Sequence, residues 1–267
     1  MNLVITMIFK KIFAYIKGFF KTMGKKKYDT LAGSLTFFFL LTCVPILYIT
    51  LFFYGQIANV LNLELSIPDW LKEYITFDLN VGVSIFFIFA TIFSTTKFFV
   101  QIKKIGDIIY NVKEPVGSIK LKIASVLISV LFILVLIGGL LLMSLANHFS
   151  EYFPAWLTRF LTLSLIAGVF FLLIVVIDKT ATPTLSMKKH VYRGAFITLG
   201  YTLIASIIFS IYLALFANFN QLYGSLTTVL LFLLWMYLVS KGIVIGIVVN
   251  YYYDKKIDQI NKKLEEK

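Results

Sequence analysis

Cysteine, histidine, arginine and charge are all scarce in this chain, and each scarcity removes a class of protein. A single cysteine, Cys43, lies inside an apolar run, so no intramolecular disulfide and no cysteine-built metal cluster can form. There are two histidines, His148 and His190, and most of the 13 acidic residues lie between apolar stretches rather than in them. These supply no nucleophile–base pair, no poised pair of carboxylates and no metal-ligand spacing, and no glycine-rich phosphate loop is present. No catalytic residue, metal or cofactor is therefore expected. Charged residues make up 14% of the 267 residues, against about 25% in soluble domains. What replaces them is apolar: 60% of the residues are hydrophobic and 17% aromatic. A soluble domain of this length could not hide so much apolar surface. Soluble enzymes, disordered tails and secreted disulfide scaffolds are thereby excluded.

A hydrocarbon core about 30 Å thick takes about 20 apolar residues of helix to cross. Six stretches reach that length, at roughly 31–54, 79–99, 121–146, 160–178, 194–217 and 226–250. Their apolar residues run continuously instead of alternating, which excludes a barrel and makes them helices, because backbone groups in lipid must be satisfied locally. The charge then orients them. Of the 25 basic residues, 22 fall in the N-terminal segment, the second and fourth connections and the C-terminal tail. The opposite side holds Lys72 and Arg159, and Lys241 lies inside the sixth stretch. By the positive-inside rule both termini are cytoplasmic. His148 is then outside and His190 inside, so the two cannot share a site.

The expected organisation is all-α: a basic amphipathic helix over 1–27, a six-helix transmembrane domain over 28–253 and a charged cytoplasmic tail over 254–267. In the first segment Ile5, Ile8, Phe9, Ile12, Phe13, Ile16, Phe19, Phe20 and Met23 recur at three- and four-residue steps opposite lysines. This pattern suits a helix lying in the inner headgroup region against anionic lipid, and not a nucleic-acid contact. The apolar run Leu3 to Phe9 is too short for a secretory signal. Ile257, Ile260 and Leu264 in the tail predict a short surface helix continuing the sixth span. Outside, Ser66-Ile67-Pro68-Asp69-Trp70 reads as a helix start, and His148, Phe149, Tyr152, Phe153 and Trp156 as an interfacial aromatic belt.

Polarity inside the spans marks the candidate site. Lys241 stands about ten residues, roughly 15 Å, from the inner end of span six, where a lysine must snorkel, find a partner or line a hydrated cavity. Asp178, at the inner end of span four, is the expected ion-pair partner. Tyr237 lies one turn from Lys241 on the same face. Gly242, Gly246 and Asn250 follow at four-residue steps, and span five repeats the device with Gly194, Thr198, Thr202, Ser206 and Ser210. Such ridges let helices approach closely within one chain or between two subunits of a homo-oligomer, and they can also line a polar cavity. Pro45 denies the Leu41 carbonyl its usual donor, so a kink is expected there, with Thr42 placed to re-satisfy the backbone.

Pro183, Tyr192-Arg193-Gly194-Ala195, Tyr212, Phe216-Ala217, Tyr223-Gly224-Ser225-Leu226 and Leu234-Trp235-Met236-Tyr237, with Gly246 and Asn250, resemble the BrkB/YihY family of bacterial inner-membrane proteins. Ala32 through Pro45 is similar to that family's first span. The resemblance covers nearly the whole chain. It implies a six-helix protein of the bacterial cytoplasmic membrane with an amphipathic N-terminal helix. Family members were once labelled ribonuclease BN, and some are linked to serum resistance. The family often ends span six with Gly-Ala-Glu-Leu-Asn, where this chain has Gly246-Ile247-Val248-Val249-Asn250. The acid is missing at Val248, and Lys241 occupies a position usually apolar in the family.

These features make a transporter or flippase-like protein for an amphiphilic or anionic substrate the leading reading, with Lys241, Tyr237, Asn250, Thr198, Thr202 and Ser206 toward the substrate. Pro45, Gly242, Gly246 and Asp178 would be structural. The alternative is a non-transporting scaffold of the cell envelope that docks partners through its outer loops. The orientation itself is testable by labelling. In a Cys43→Ser chain, Lys72→Cys should react with an impermeant maleimide added to intact cells, and Lys113→Cys only after permeabilisation. The reverse pattern would overturn the charge argument.

Overall fold

A computed structural model describes residues 28–61, 81–113, 118–148, 154–183, 191–215 and 225–265. The amphipathic segment 1–27, the Ser66–Trp70 helix start, Phe149, Tyr152 and Phe153 of the aromatic belt, and His190 lie outside the described residues. Six helices account for nearly all the rest: α1 Tyr28–Val60, α2 Val81–Tyr110, α3 Ser118–His148, α4 Ala155–Ala181, α5 Tyr192–Leu215 and α6 Ser225–Glu265. Each contains a window long and apolar enough to cross a membrane, and the six windows fall on the six expected spans. No strand occurs among the described residues.

The helices outrun the apolar stretches at the basic end of the bundle, where α1 begins and α6 ends. α2 continues from the expected limit at 99 to Tyr110. It carries Lys97, Lys103 and Lys104 on helix instead of loop. Phe98, Phe99, Ile102, Ile105 and Ile109 form a buried stripe along this extension. Lys103 is neutralised in place by Asp107, one turn on, at 2.6 Å. α6 likewise passes through Asn250 and runs unbroken to Glu265, so the tail's first residues continue span six as helix. At about 1.5 Å per residue its 41 residues reach about 60 Å, twice the hydrocarbon thickness.

α1, α2 and α6 form the centre, with α3 and α4 packed on α2 and with α5 leaning mainly on α6. The principal core lies toward the basic end and joins Tyr28, Ala32 and Leu35 of α1 to the α2 stripe, Ile177 and Ala181 of α4, and Ile243, Val244, Ile247 and Val248 of α6. Val248, where the resembling family carries an acid, is thus packed among apolar side chains. A smaller cluster of Tyr54 and Ala58 with Leu140 and Leu141 ties α1 to α3 at the other end. Large apolar side chains left on the outside, such as Phe196, Leu203, Ile204, Ile207 and Ile208 of α5, form the surface that lipid would cover.

α1 passes through Pro45 without a break in its helix. The expected repair by Thr42 is corrected in detail. Its hydroxyl is placed against the Phe38 carbonyl at 2.7 Å and the Ser94 carbonyl at 3.1 Å, not against Leu41. The neighbouring helix also touches this turn, because Thr91 of α2 sets its hydroxyl 2.9 Å from the Pro45 carbonyl. A hydroxyl one turn back on its own helix reaches the carbonyl four residues earlier more readily than the adjacent one.

Outside α5 and α6, helices also approach closely at Gly106, where a Cβ would fall on the Ala181 carbonyl of α4, while one at Gly33 would meet nothing within 4 Å. Backbone cannot yield as a side-chain tip does. Gly106→Ala should therefore destabilise the protein by about 2 kcal/mol in unfolding by denaturing detergent, and Gly33→Ala should be neutral or stabilising by up to about 1 kcal/mol. Equal effects at the two positions would contradict this packing.

Candidate functional site

The polar residues of α6 divide between two faces. Lys241 and Asn250 are nine residues apart, about two and a half turns, and so point to opposite sides of the helix. On the first side Tyr237 and Lys241 face the start of α1. The Lys241 ammonium lies 2.8 Å from Asp29 Oδ1, with the lysine side chain 34% and the aspartate 73% exposed. The Tyr237 hydroxyl donates to the same oxygen at 3.3 Å, and the ammonium stands 5.9 Å from the Tyr237 ring centre. The expected partner Asp178 is thereby replaced by Asp29, since Asp178 belongs to the other face. The lysine reaches a carboxylate in the first turn of α1, where a negative charge also suits the helix dipole.

On the second side Asn250 is buried and makes contacts in three directions. It accepts from the Gly194 backbone N–H at 2.8 Å, and its amide donates to Asp178 Oδ2 at 3.2 Å and to the Val191 carbonyl at 3.3 Å. One side chain therefore fixes the end of α4 and the beginning of α5 on α6. Asp178 is fully buried, and its Oδ1 has no hydrogen-bond partner. One turn beyond Asn250, the buried Asp254 accepts from the Tyr110 hydroxyl of α2 at 3.0 Å. Arg193 stacks on Tyr253, with its guanidinium carbon 3.5 Å from the ring centre.

The remaining expected residues lie along the α5–α6 seam. Thr198 donates to the Gly242 carbonyl at 3.2 Å, and a Cβ on Gly246 would land on the Thr198 hydroxyl. Gly194 meets Gly246 backbone to backbone, and Gly242 lies under the Tyr201 ring and the Thr202 hydroxyl. The Thr202 hydroxyl is buried without a hydrogen-bond partner, and Ser206 accepts from the Trp235 indole at 3.3 Å. These small residues bring the two helices close enough for carbonyls and hydroxyls to meet across them.

Of a second polar seam, between α1, α2 and α3, Thr42 alone is singled out in the sequence. It contains Thr42, Thr91, Ser94 and Thr95, with Gln101 donating to Ser34 at 2.9 Å and the Tyr54 and Ser144 hydroxyls hydrogen-bonded to each other. Thr91, Ser94 and Thr95 stand at three- and four-residue steps in line with the apolar stripe of α2. That spacing is the signal that would have found them. Among the described residues no three of His, Cys, Asp or Glu come together as metal ligands would.

The family profile described as "Virulence factor BrkB" matches residues 19–267. The chain is 24% identical over 261 residues, 89% of its own length and 94% of the relative's, to the "Putative ribonuclease-like protein YfkH" of Bacillus subtilis (strain 168). No solved structure matches the chain.

Removing the Asn250 amide would leave the Gly194 N–H and Asp178 Oδ2 short of a partner at once, while the Val191 carbonyl keeps the Ala195 N–H. Asn250→Ala should cost about 3 kcal/mol in detergent unfolding, and Thr198→Val, which loses one donor, about 1 kcal/mol. An Asn250→Ala chain as stable as Thr198→Val would contradict this placement of the amide.

Proposed function

Because the chain belongs to the BrkB family of membrane proteins, we propose that it moves an anionic amphiphile across the bilayer as a transporter or flippase-like protein. The observation that carries this reading is the Lys241–Asp29 pair. Its ammonium is held by a largely exposed carboxylate at the α1–α6 seam, with the Tyr237 hydroxyl as a second donor beside it. A phosphate or carboxylate headgroup offers the same charge-assisted bonds as Asp29 and can exchange with it. The adjacent apolar surface would receive an acyl chain. In this reading Lys241 and Tyr237 touch the substrate, while Asn250, Thr198, Thr202 and Ser206 position α4 and α5 on α6. Anionic lipid at the basic face is then both surroundings and a substrate class. The bacterial inner membrane is the proposed location, as the resemblance implies. The scaffold alternative draws on outer connections over 62–80, 149–153 and 216–224, which lie outside the described residues.

Full-length protein reconstituted in liposomes should speed the transbilayer movement of fluorescent phosphatidylglycerol well above that of protein-free liposomes. Lys241→Gln should slow this movement about tenfold, as expected for losing one charge-assisted contact. Phosphatidylcholine with the same label should move less and respond less to the substitution. No acceleration of either lipid would contradict the proposal, and acceleration untouched by Lys241→Gln would remove Lys241 from it.

A further inference from the structure

Asp178 is the polar group whose surroundings are least complete. It is fully buried, and only Oδ2 is engaged, by the Asn250 amide at 3.2 Å; Oδ1 has no hydrogen-bond partner. The ion pairs among the described residues, Lys103 with Asp107 and Lys241 with Asp29, use other acids. Lys179 follows Asp178 in the chain but is exposed. A carboxylate taken out of water with one neutral donor is costly, and proteins compensate with a counter-charge.

Other polar groups stand near it at the ends of α2, α4 and α6. Thr182 donates its hydroxyl to the Asp178 main-chain carbonyl at 2.8 Å. Tyr110 donates to Asp254 at 3.0 Å and feels the field of Asp178 as well. The Val191 carbonyl meets Asp178 through the shared Asn250 amide. Asn250 thus links Asp178 to the Val191 carbonyl, and a second buried acid, Asp254, lies one turn further along α6 on the Tyr110 phenol. The Asp178 carboxylate carries one unit of negative charge, and a single positive charge at its open oxygen offsets it.

We infer that the open oxygen of Asp178 takes a monovalent cation, which offsets the buried charge of that carboxylate where the ends of α2, α4 and α6 meet. Sodium and the proton share the required chemistry, one positive charge at Oδ1, and stability measurements separate them. The groups facing Asp178 that bear on a pH response are Tyr110 from α2 and Asp254 from α6. Arg193 of α5 is turned onto Tyr253. The site is independent of the transport proposal, because it is read by stability and not by lipid movement.

The full chain is purified in detergent and its thermal unfolding followed at constant ionic strength in sodium, potassium or choline chloride, and again across pH 5 to 8 in choline. If sodium is the ligand, the wild type gains about 5 °C in sodium over choline, and Asp178→Asn does not. If the proton is, the wild type gains stability on acidification in choline by a similar margin, and Asp178→Asn loses that part of the response. Asp254→Asn separates the second acid, since a response that follows Asp254 alone overturns the assignment. Equal responses of wild type and Asp178→Asn under all conditions also overturn it. Should Asp178→Asn not accumulate, hydrogen exchange on the wild type serves instead. Protection by sodium or by acid, after correction for intrinsic exchange, is expected in peptides covering 174–182 and 246–254. Protection absent there, or spread evenly over the chain, contradicts the site.

Discussion

The hydrogen bond from the Asn250 amide to the Asp178 carboxylate governs the basic end of this bundle. It joins two buried polar groups, each costly to leave unpaired, and so it fixes the rotation of α6 against α4. The same asparagine accepts from the Gly194 N–H, one of the free donors in the first turn of α5, which places the beginning of that helix as well. Apolar contacts alone would hold these helices together without choosing a rotation, because lipid tails solvate leucine and isoleucine as well as a neighbouring helix does. The glycines at 194 and 246 then allow the approach that the asparagine specifies.

With α6 turned in this way, the positions of its other polar groups follow. Lys241, nine residues earlier, must look away from Asp178 and toward α1, where Asp29 receives it. Asp254, four residues later, must look back toward α2, where Tyr110 receives it. One helix therefore carries a buried, tightly packed polar face and a partly exposed charged one. The first suits architecture and a small counter-ion. The second suits a ligand that arrives from the membrane surface and competes with Asp29.

Much of this was legible in the chain. Continuous apolar runs and the one-sided distribution of lysine gave six spans, because the cost of burying charge in lipid acts on every residue alone and needs no knowledge of neighbours. The pairing of Tyr237 with Lys241 and the small ridges of spans five and six were legible for a similar reason, since both are local to a helix. The partner of Lys241 was not. Asp29 and Asp178 are both acids at the inner end of a span, and only the rotation of α6 chooses between them. The reach of α2 to Tyr110 was also hidden, because Lys103 and Asp107 look like loop residues until their mutual neutralisation and the stripe beside them are seen together. The hydroxyl seam around Thr91 was overlooked because threonine and serine are mild interruptions of an apolar run. Their importance depends on which carbonyls of the adjacent helix lie within their reach, as those of Ser94 and Pro45 do.

The rotation of α6 can be measured directly by cross-linking in native membranes. In a Cys43→Ser background, a short bifunctional thiol reagent should join cysteines placed together at 29 and 241, and should fail to join a pair at 178 and 241. Efficient linkage of 178 to 241, with none between 29 and 241, would mean that α6 presents its lysine to α4 and that the division of its polar faces is wrong.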